Sequence, residues 1–114
     1  MTDLDATLSA LADPTRRHVV DLLRRGPRRA GELATSAETS APAMSRHLRV
    51  LRATGLVEAA GDDQDARLRV YRLRREPFVA LQAWLDQVEA FWREQLGAFK
   101  VHAERRGARK RGAR

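Results

Sequence analysis

The side chains best suited to chemistry lie between residues 40 and 73, and most of them are basic. Met44, Leu48 and Leu51 follow the 4-3 spacing of a helix over residues 40–54, and this spacing predicts that they face the core. Four residues then lie on the other faces of that helix: Ala43, Ser45, Arg46 and Arg49. Arginine can pair bidentately with guanine, and small residues allow a helix to approach bases closely. We therefore predict that this helix reads DNA bases.

A pair of basic strands follows this helix. Gly55 ends the helix, and the residue pattern predicts strands at Leu56–Ala60 and Arg67–Leu73. In the second strand Arg67 and Arg69 alternate with apolar residues. A helix in the major groove beside a hairpin that reaches the DNA backbone is the arrangement of a winged helix-turn-helix. We therefore predict a mainly α-helical fold with a small β-hairpin wing that contacts DNA.

The predicted wing also carries acids, and this leaves two arrangements open. Asp62, Asp63 and Asp65 lie at its tip and would repel phosphate if they pointed towards DNA. Either the tip lies away from DNA, or these carboxylates pair with the arginines of the second strand.

Other positions are candidates for contact with the DNA backbone. Ser40 is predicted to cap the helix, and its hydroxyl could also reach a phosphate. Pro42 fits the first helical turn. Arg28 opens a predicted third helix, where phosphate contact and plain solvation are equally good interpretations. A structural or phosphate hydrogen bond is favoured over metal ligation for His47. The predicted DNA-binding set is Ser40, Pro42, Ala43, Ser45, Arg46, Arg49, Arg28, Arg67 and Arg69.

Three helices and a long last helix must position these side chains. The first three are predicted from helical spacing of apolar residues, from the Asp13-Pro14 start signal and from the Gly26-Pro27 stop signal. Their predicted ranges are 3–12, 14–25 and 28–37. The last helix begins near Glu76 and carries an apolar 3-4 repeat that continues to Phe99.

Both tryptophans and all three phenylalanines of the chain lie in the last helix. A small domain has little room to bury them internally, so we predict that the helix pairs with its copy in a second subunit. The first helix is the expected companion at this junction. The predicted dimerisation residues are Leu4, Leu8, Leu81, Leu85, Val88 and Trp92. Two alternatives stay open: a small-molecule pocket at the junction, and a winged-helix module that binds another protein through this helix.

The charge of the chain is concentrated at its end. The 114 residues carry a net charge of +7, and residues 105–114 supply six basic residues and no acid. The remaining 104 residues hold 16 basic and 15 acidic residues, a balance of only +1. We therefore expect residues 1–104 to form the DNA-binding and dimerisation domain, and residues 105–114 to form a basic disordered tail that attracts polyanions without reading sequence. Non-specific binding of nucleoid DNA or RNA through this tail is a third hypothesis.

The composition also excludes classes of function. The chain has no cysteine, so disulfides and thiolate metal sites are excluded. No apolar run approaches the roughly 20 residues that span a bilayer, and the N-terminus lacks the features of a secretory signal, so a cytoplasmic location is expected. The sequence shows no nucleophile-base-acid constellation and no Gly-rich phosphate loop. We therefore expect no enzymatic activity, no cofactor and no metal.

Five short segments together resemble the ArsR (arsenical-resistance repressor) family of bacterial winged-helix regulators. These are Leu11–Arg17, Gly31–Ala34, Pro42–Arg52, Gly55–Val57 and Val70–Leu73, and the resemblance covers roughly residues 4–96. It implies a homodimeric transcription factor, usually a repressor of its own operon, that releases its operator when an effector binds.

The sequence departs from the metal sensors of that family. Those members use cysteine pairs, or Asp, His and Glu ligands on the last helix. Here the third helix offers no thiol, and the last helix lacks the Asp-x-His and His-x-x-Glu pairings. The chain therefore looks like the thiol-free branch, metal sensing is not carried over, and any small-molecule effector is unidentified.

Overall fold

A computed structural model describes the backbone of residues 3–61 and 64–112, and the side chains up to Gly107. Asp62 and Asp63 of the wing tip and Arg114 lie outside the described residues. The helices are α1 (Asp3–Leu11), α2 (Pro14–Leu23), α3 (Ala30–Ser36), α4 (Ala41–Ala53) and α5 (Glu76–Gly112). The strands are β1 (Arg28–Arg29), β2 (Val57–Ala60) and β3 (Val70–Leu73), and a short 3-10 helix spans Ala66–Leu68.

The core lies between α2, α3, α4 and β2. Val19, Leu33, Met44, Leu51 and Leu56 are fully buried there, and Leu48 is nearly so. The 4-3 spacing predicted for α4 is confirmed, because its three inward residues are all in this core. Tyr71 of β3 is also buried.

The sheet has three antiparallel strands in the order β1-β3-β2, whereas the sequence predicted two. Arg28 was predicted to open the third helix, but Arg28 and Arg29 pair with Tyr71 and Val70 of β3. The helix begins two residues later, where the Glu32 carboxylate accepts a hydrogen bond of 3.2 Å from the Arg29 N–H. A two-residue strand shows no alternation in the sequence, because its pairing with β3 alone defines it.

The second strand of the wing is shorter than predicted. The chain forms a 3-10 turn from Ala66 to Leu68 before β3 starts at Val70. The Asp65 carboxylate accepts from the Arg67 N–H at 3.0 Å and stabilises this turn. Leu68, which the alternation placed with Val70, is therefore exposed.

The chain forms two compact units that divide between Leu81 and Gln82. The first contains α1 to β3 and the start of α5, and the second is the remainder of α5. The sequence predicted a disordered tail from residue 105, whereas α5 continues to Gly112. Arginine, lysine and alanine have high helix propensity, and no proline interrupts them; Gly107 costs only about 1 kcal/mol relative to alanine.

Candidate nucleic-acid interface

Both ends of α4 are fixed by local hydrogen bonds. At its start the Ser40 hydroxyl accepts from the Ala43 N–H at 3.2 Å, and Pro42 occupies the first turn. At its end the Gly55 N–H donates to the Arg52 carbonyl and the Leu56 N–H to the Leu51 carbonyl, both at 3.0 Å. This pair of bonds requires a left-handed residue, and Gly55 supplies it with a φ of 77°. The ends and the buried stripe together set the rotation of α4.

The outer face of α4 is basic and available. Ser45, Arg46 and Arg49 are exposed, and Ala43 is half-buried. Within residues 3–61 and 64–107, neither Arg46 nor Arg49 has a hydrogen bond or an ion-pair partner. Both guanidinium groups can therefore donate to a ligand.

A groove of about 530 Å³ separates α4 from the wing. Ser45 and Arg49 line it from α4, and Arg69 and Tyr71 line it from the wing. Arg52 lines the same groove. Arg52 was not in the predicted DNA-binding set, although its i, i+3 spacing from Arg49 could have indicated a shared face.

A second hollow lies beside this groove and contains Arg67. It is lined by Ser45, by the start of α3 and by the 3-10 turn, and includes Arg29 and Arg67. The guanidinium of Arg67 pairs with the Asp65 carboxylate through two contacts of 3.1 Å. These side-chain hydrogen bonds lower the pKa of Asp65. The sequence left open whether the wing acids lie away from DNA or pair with the wing arginines. For Asp65, the structure supports pairing.

The structure separates Arg28 and Arg72 from these grooves. The Arg28 Nε lies 3.5 Å from the Leu22 carbonyl oxygen at the end of α2, and Arg28 lines neither hollow. Arg72 pairs across the sheet with the carboxylate of Glu58. Among the described side chains, Arg69 is therefore the wing arginine that has no internal partner.

A polar junction connects the start of α2 with the side of α4 that carries His47. The Asp13 carboxylate caps α2 by accepting from the Arg16 N–H at 3.0 Å. This hydrogen bond is the main reason that the pKa of Asp13 lies below its ordinary value, and the positive charge of Arg16 lowers it further. The Nδ1 atom of His47 lies 3.4 Å from an Arg16 nitrogen and 4.0 Å from the Asp13 carboxylate.

The described residues contain neither a metal-binding cluster nor a membrane-spanning helix. No group of three or more His, Asp and Glu side chains in them is arranged to hold a metal ion. No helix in the same residues is both long and apolar enough to cross a membrane.

Comparison with known proteins identifies the family. Residues 13–59, which run from the cap of α2 into β2, match the family described as bacterial regulatory protein, arsR family. An HTH-type transcriptional regulator of Mycobacterium tuberculosis, Rv2034, is 40% identical over 95 residues, which cover 83% of each chain. The chain belongs to the ArsR family of bacterial regulatory proteins. It is therefore a transcriptional regulator and not an enzyme.

Solved structures agree with the fold of this ArsR-family chain. The crystal structure of the ArsR family transcriptional regulator RHA00566 superposes with a TM-score of 0.72 at 34% identity, over 80% of this chain and 97% of that one. An ArsR-like regulator from Rhodococcus sp. RHA1 gives 0.70 at 32% identity, over 86% and 90%. A Mycobacterium bovis protein, described as a homodimeric winged helix-turn-helix DNA-binding domain, gives 0.60 at 28% identity, over 77% and 79%. The predicted winged helix-turn-helix fold is confirmed.

Proposed function

We propose that this ArsR-family regulator is a homodimeric repressor that binds an imperfect palindrome in double-stranded DNA through α4 and the wing. The observation that carries the proposal is the groove where Ser45 and Arg49 of α4 face Arg69 of the wing. Because the arginines on both sides lack internal partners among the described residues, they are free to meet bases and phosphates. Arg46 and Ala43 extend the same basic helix, and Ser40 and Pro42 form its first turn.

The candidates differ in how directly the structure supports them. Arg46, Arg49 and Arg69 are proposed to contact DNA directly, and Arg52 joins them because it lines the same groove. Arg67 would have to exchange its Asp65 carboxylate for a phosphate, so we propose a weaker contribution. Arg28 is proposed only as an outer phosphate contact, since it lines neither hollow.

Apolar side chains that a single copy leaves uncovered support the homodimer. Leu8, Leu85 and Trp92 are exposed, and Leu4, Leu81 and Val88 are half-buried. We propose that a second copy covers these residues, as the Mycobacterium bovis neighbour is described as homodimeric. Two copies of α4 would then enter successive major grooves about 34–36 Å apart, which requires a palindromic site.

Repression is proposed by analogy with a named relative. The transcriptional repressor SdpR of Bacillus subtilis is 39% identical over 49 residues, which cover 43% of this chain and 54% of the relative. A small-molecule effector that releases the operator is compatible with this role.

Selection from a random DNA pool tests the proposal. The purified full chain is expected to enrich a palindrome whose half-sites lie about one helical turn apart. The Arg49→Ala variant should enrich a site of the same length, in which one base position of each half-site has lost its sequence preference. Arg24→Ala is the matched control, because Arg24 is an exposed arginine at the C-cap of α2 that pairs with Asp21 outside the groove. A pool without enrichment over random sequence would overturn the proposal.

A further inference from the structure

Arg16 belongs to α2 but caps the end of α1. Its Nε donates to the Ala10 carbonyl at 2.7 Å, and one of its terminal nitrogens donates to the Ser9 carbonyl at 3.3 Å. The last carbonyls of a helix lack intrahelical partners, so a guanidinium at this place satisfies them.

The remaining terminal nitrogen of the Arg16 guanidinium contacts α4. This nitrogen lies 3.4 Å from Nδ1 of His47. A guanidinium carries only donors and stays protonated, so Nδ1 of His47 must be the acceptor in this contact. The imidazole that forms this contact is therefore neutral and carries its proton on Nε2. The Asp13 carboxylate, at 4.0 Å, is too far from Nδ1 to compete as a hydrogen-bond partner in this arrangement.

The Nε2–H of His47 is a hydrogen-bond donor that has no acceptor among the described residues. The side chain is 22% exposed, and within the described residues Nε2 has no hydrogen-bond partner. His47 lies about 200° around α4 from Ser45 and from Arg49, at 3.6 residues per turn. It is thus on the flank of α4 opposite the groove to the wing.

We propose that His47 donates Nε2–H to a phosphate of the operator, and that Arg16 is the positioning residue that holds the ring in this tautomer. A helix in the major groove has a phosphate backbone on each flank, and the wing serves one of them through Arg69. His47 serves the other. A phosphate oxygen only accepts hydrogen bonds, so it requires the Nε2–H that the Arg16 contact enforces. This inference rests on the proposed DNA-binding function of α4.

Binding measurements on the full chain test the contact by His47. His47→Gln keeps an N–H donor at a similar distance from the backbone and should bind the selected palindrome within about twofold of the wild type. His47→Phe keeps the ring and loses the donor, and should bind roughly tenfold more weakly. The loss should be the same on every sequence. Its dependence on salt should be unchanged, because a neutral ring displaces no counterion.

The tautomer is tested separately by ¹⁵N NMR of histidine-labelled protein. The His47 signals, assigned by their loss in His47→Gln, should show an unprotonated Nδ1 and a protonated Nε2 in the free wild type. Arg16→Met should convert them to a mixture of tautomers. Arg17→Met is the matched control: Arg17 also caps α1, at 2.8 Å from the Leu11 carbonyl and 3.1 Å from the Ala12 carbonyl, but makes no contact with His47 among the described residues. It should leave the His47 signals unchanged.

The outcomes separate this inference from the proposed function. If the wild type binds a palindrome and His47→Phe binds it equally well, the His47 contact is refuted while the proposed function stands. If His47 carries its proton on Nδ1 in the wild type, the role of Arg16 is refuted even where a substituted chain fails to fold. If the wild type selects no sequence, the proposed function itself has failed.

Discussion

The first unit of the chain and the outer part of α5 differ in how much of their apolar side chains is exposed. Up to Leu81 most of the large apolar side chains form one buried core, and Leu8, Val50, Leu68 and Val79 are the exposed exceptions among the described residues. Every buried side-chain nitrogen or oxygen in the described residues has a hydrogen-bond partner. From Trp84 onward the large side chains are mostly exposed, with Trp92 at 57% and Phe99 at 71%. The first unit therefore holds a complete core within one copy, whereas the second displays an apolar surface that we assign to a second copy.

This difference corresponds to two proposed functions, DNA reading by the first unit and dimerisation by the outer part of α5. The first unit presents a rigid helix and a wing, whose basic side chains can be removed one at a time without opening the core. The outer part of α5 would form the dimer, so that two copies of α4 are presented to DNA. Substitutions in the two regions should consequently have different signatures in mass, stability and DNA binding.

The largest effect is expected in α5. Trp92→Glu should abolish the dimer, because a buried carboxylate without a partner costs about 3–5 kcal/mol. The mass measured by light scattering should fall by half, and affinity for the palindrome should fall by more than a hundredfold. Ala90→Glu is the control, since residue 90 lies about 200° around the helix from residue 92. A stable dimer of Trp92→Glu would show that this surface serves another partner.

Leu48→Ala should damage the first unit instead. The side chain is 1% exposed within the core, so its truncation should lower the free energy of unfolding by about 2–5 kcal/mol. Thermal unfolding followed by circular dichroism measures this loss. Val50→Ala, at an exposed position of the same helix, should change stability far less. Equal losses for both variants would contradict the assignment of the inner face of α4.

Arg46→Ala should leave stability unchanged and weaken DNA binding. Because Arg46 is exposed and has no internal partner among the described residues, its removal should cost about 1–3 kcal/mol of binding to the palindrome. Fluorescence anisotropy on the palindrome and on a scrambled duplex checks both affinity and preference. A loss that is equal on the two duplexes would mean that Arg46 contacts phosphate rather than a base.

The cap of α4 should have a smaller effect. Ser40→Ala removes the acceptor for the Ala43 N–H and should lower stability by about 1 kcal/mol. Ser40→Asp, which keeps an acceptor at the cap, should retain most of that stability in the same thermal unfolding experiment. If both variants unfold like the wild type, the cap does not stabilise α4.

The smallest effect should be a difference in stability that is present at neutral pH and disappears in acid. Because the folded-state pKa of Asp13 is lowered, its carboxylate stabilises the fold above its unfolded pKa of about 4, and this stability is lost as the pH falls through the folded value. Asp13→Asn should therefore be less stable than the wild type at neutral pH and approach it below about pH 4. Urea unfolding from pH 7 to pH 3 measures the difference. A constant difference over this range would contradict the role of the Asp13 charge.

Sequence alone predicted the fold where local pattern and local chemistry agree. The buried stripe of α4, its Ser40 cap and its Gly55 stop are all readable within a few residues, and all are confirmed. The strand at Arg28–Arg29 was missed because it exists only through pairing with residues far along the chain. The helical state of residues 105–112 was missed because charge was weighed above helix propensity.

The candidate site was predictable in its residue types but not in its internal pairing. Arg67 and Arg69 look equivalent in sequence, yet Arg67 pairs with Asp65 while Arg69 lines the groove beside α4. The contact of Arg16 with His47 joins residues 31 positions apart, and no spacing in the sequence indicates it. Such partner choices depend on tertiary geometry.

Affinity cleavage tests most directly the claim that a symmetric pair of α4 helices reads DNA. The chain has no cysteine, so Ser45→Cys creates one unique site for an iron chelate on the outer face of α4. The labelled dimer should cut its selected DNA at two positions about one helical turn apart, on the major-groove side. Thr35→Cys, at an exposed position of α3, is the labelled control and should cut elsewhere or weakly. A single cut, or the same cuts from both labels, would contradict the account.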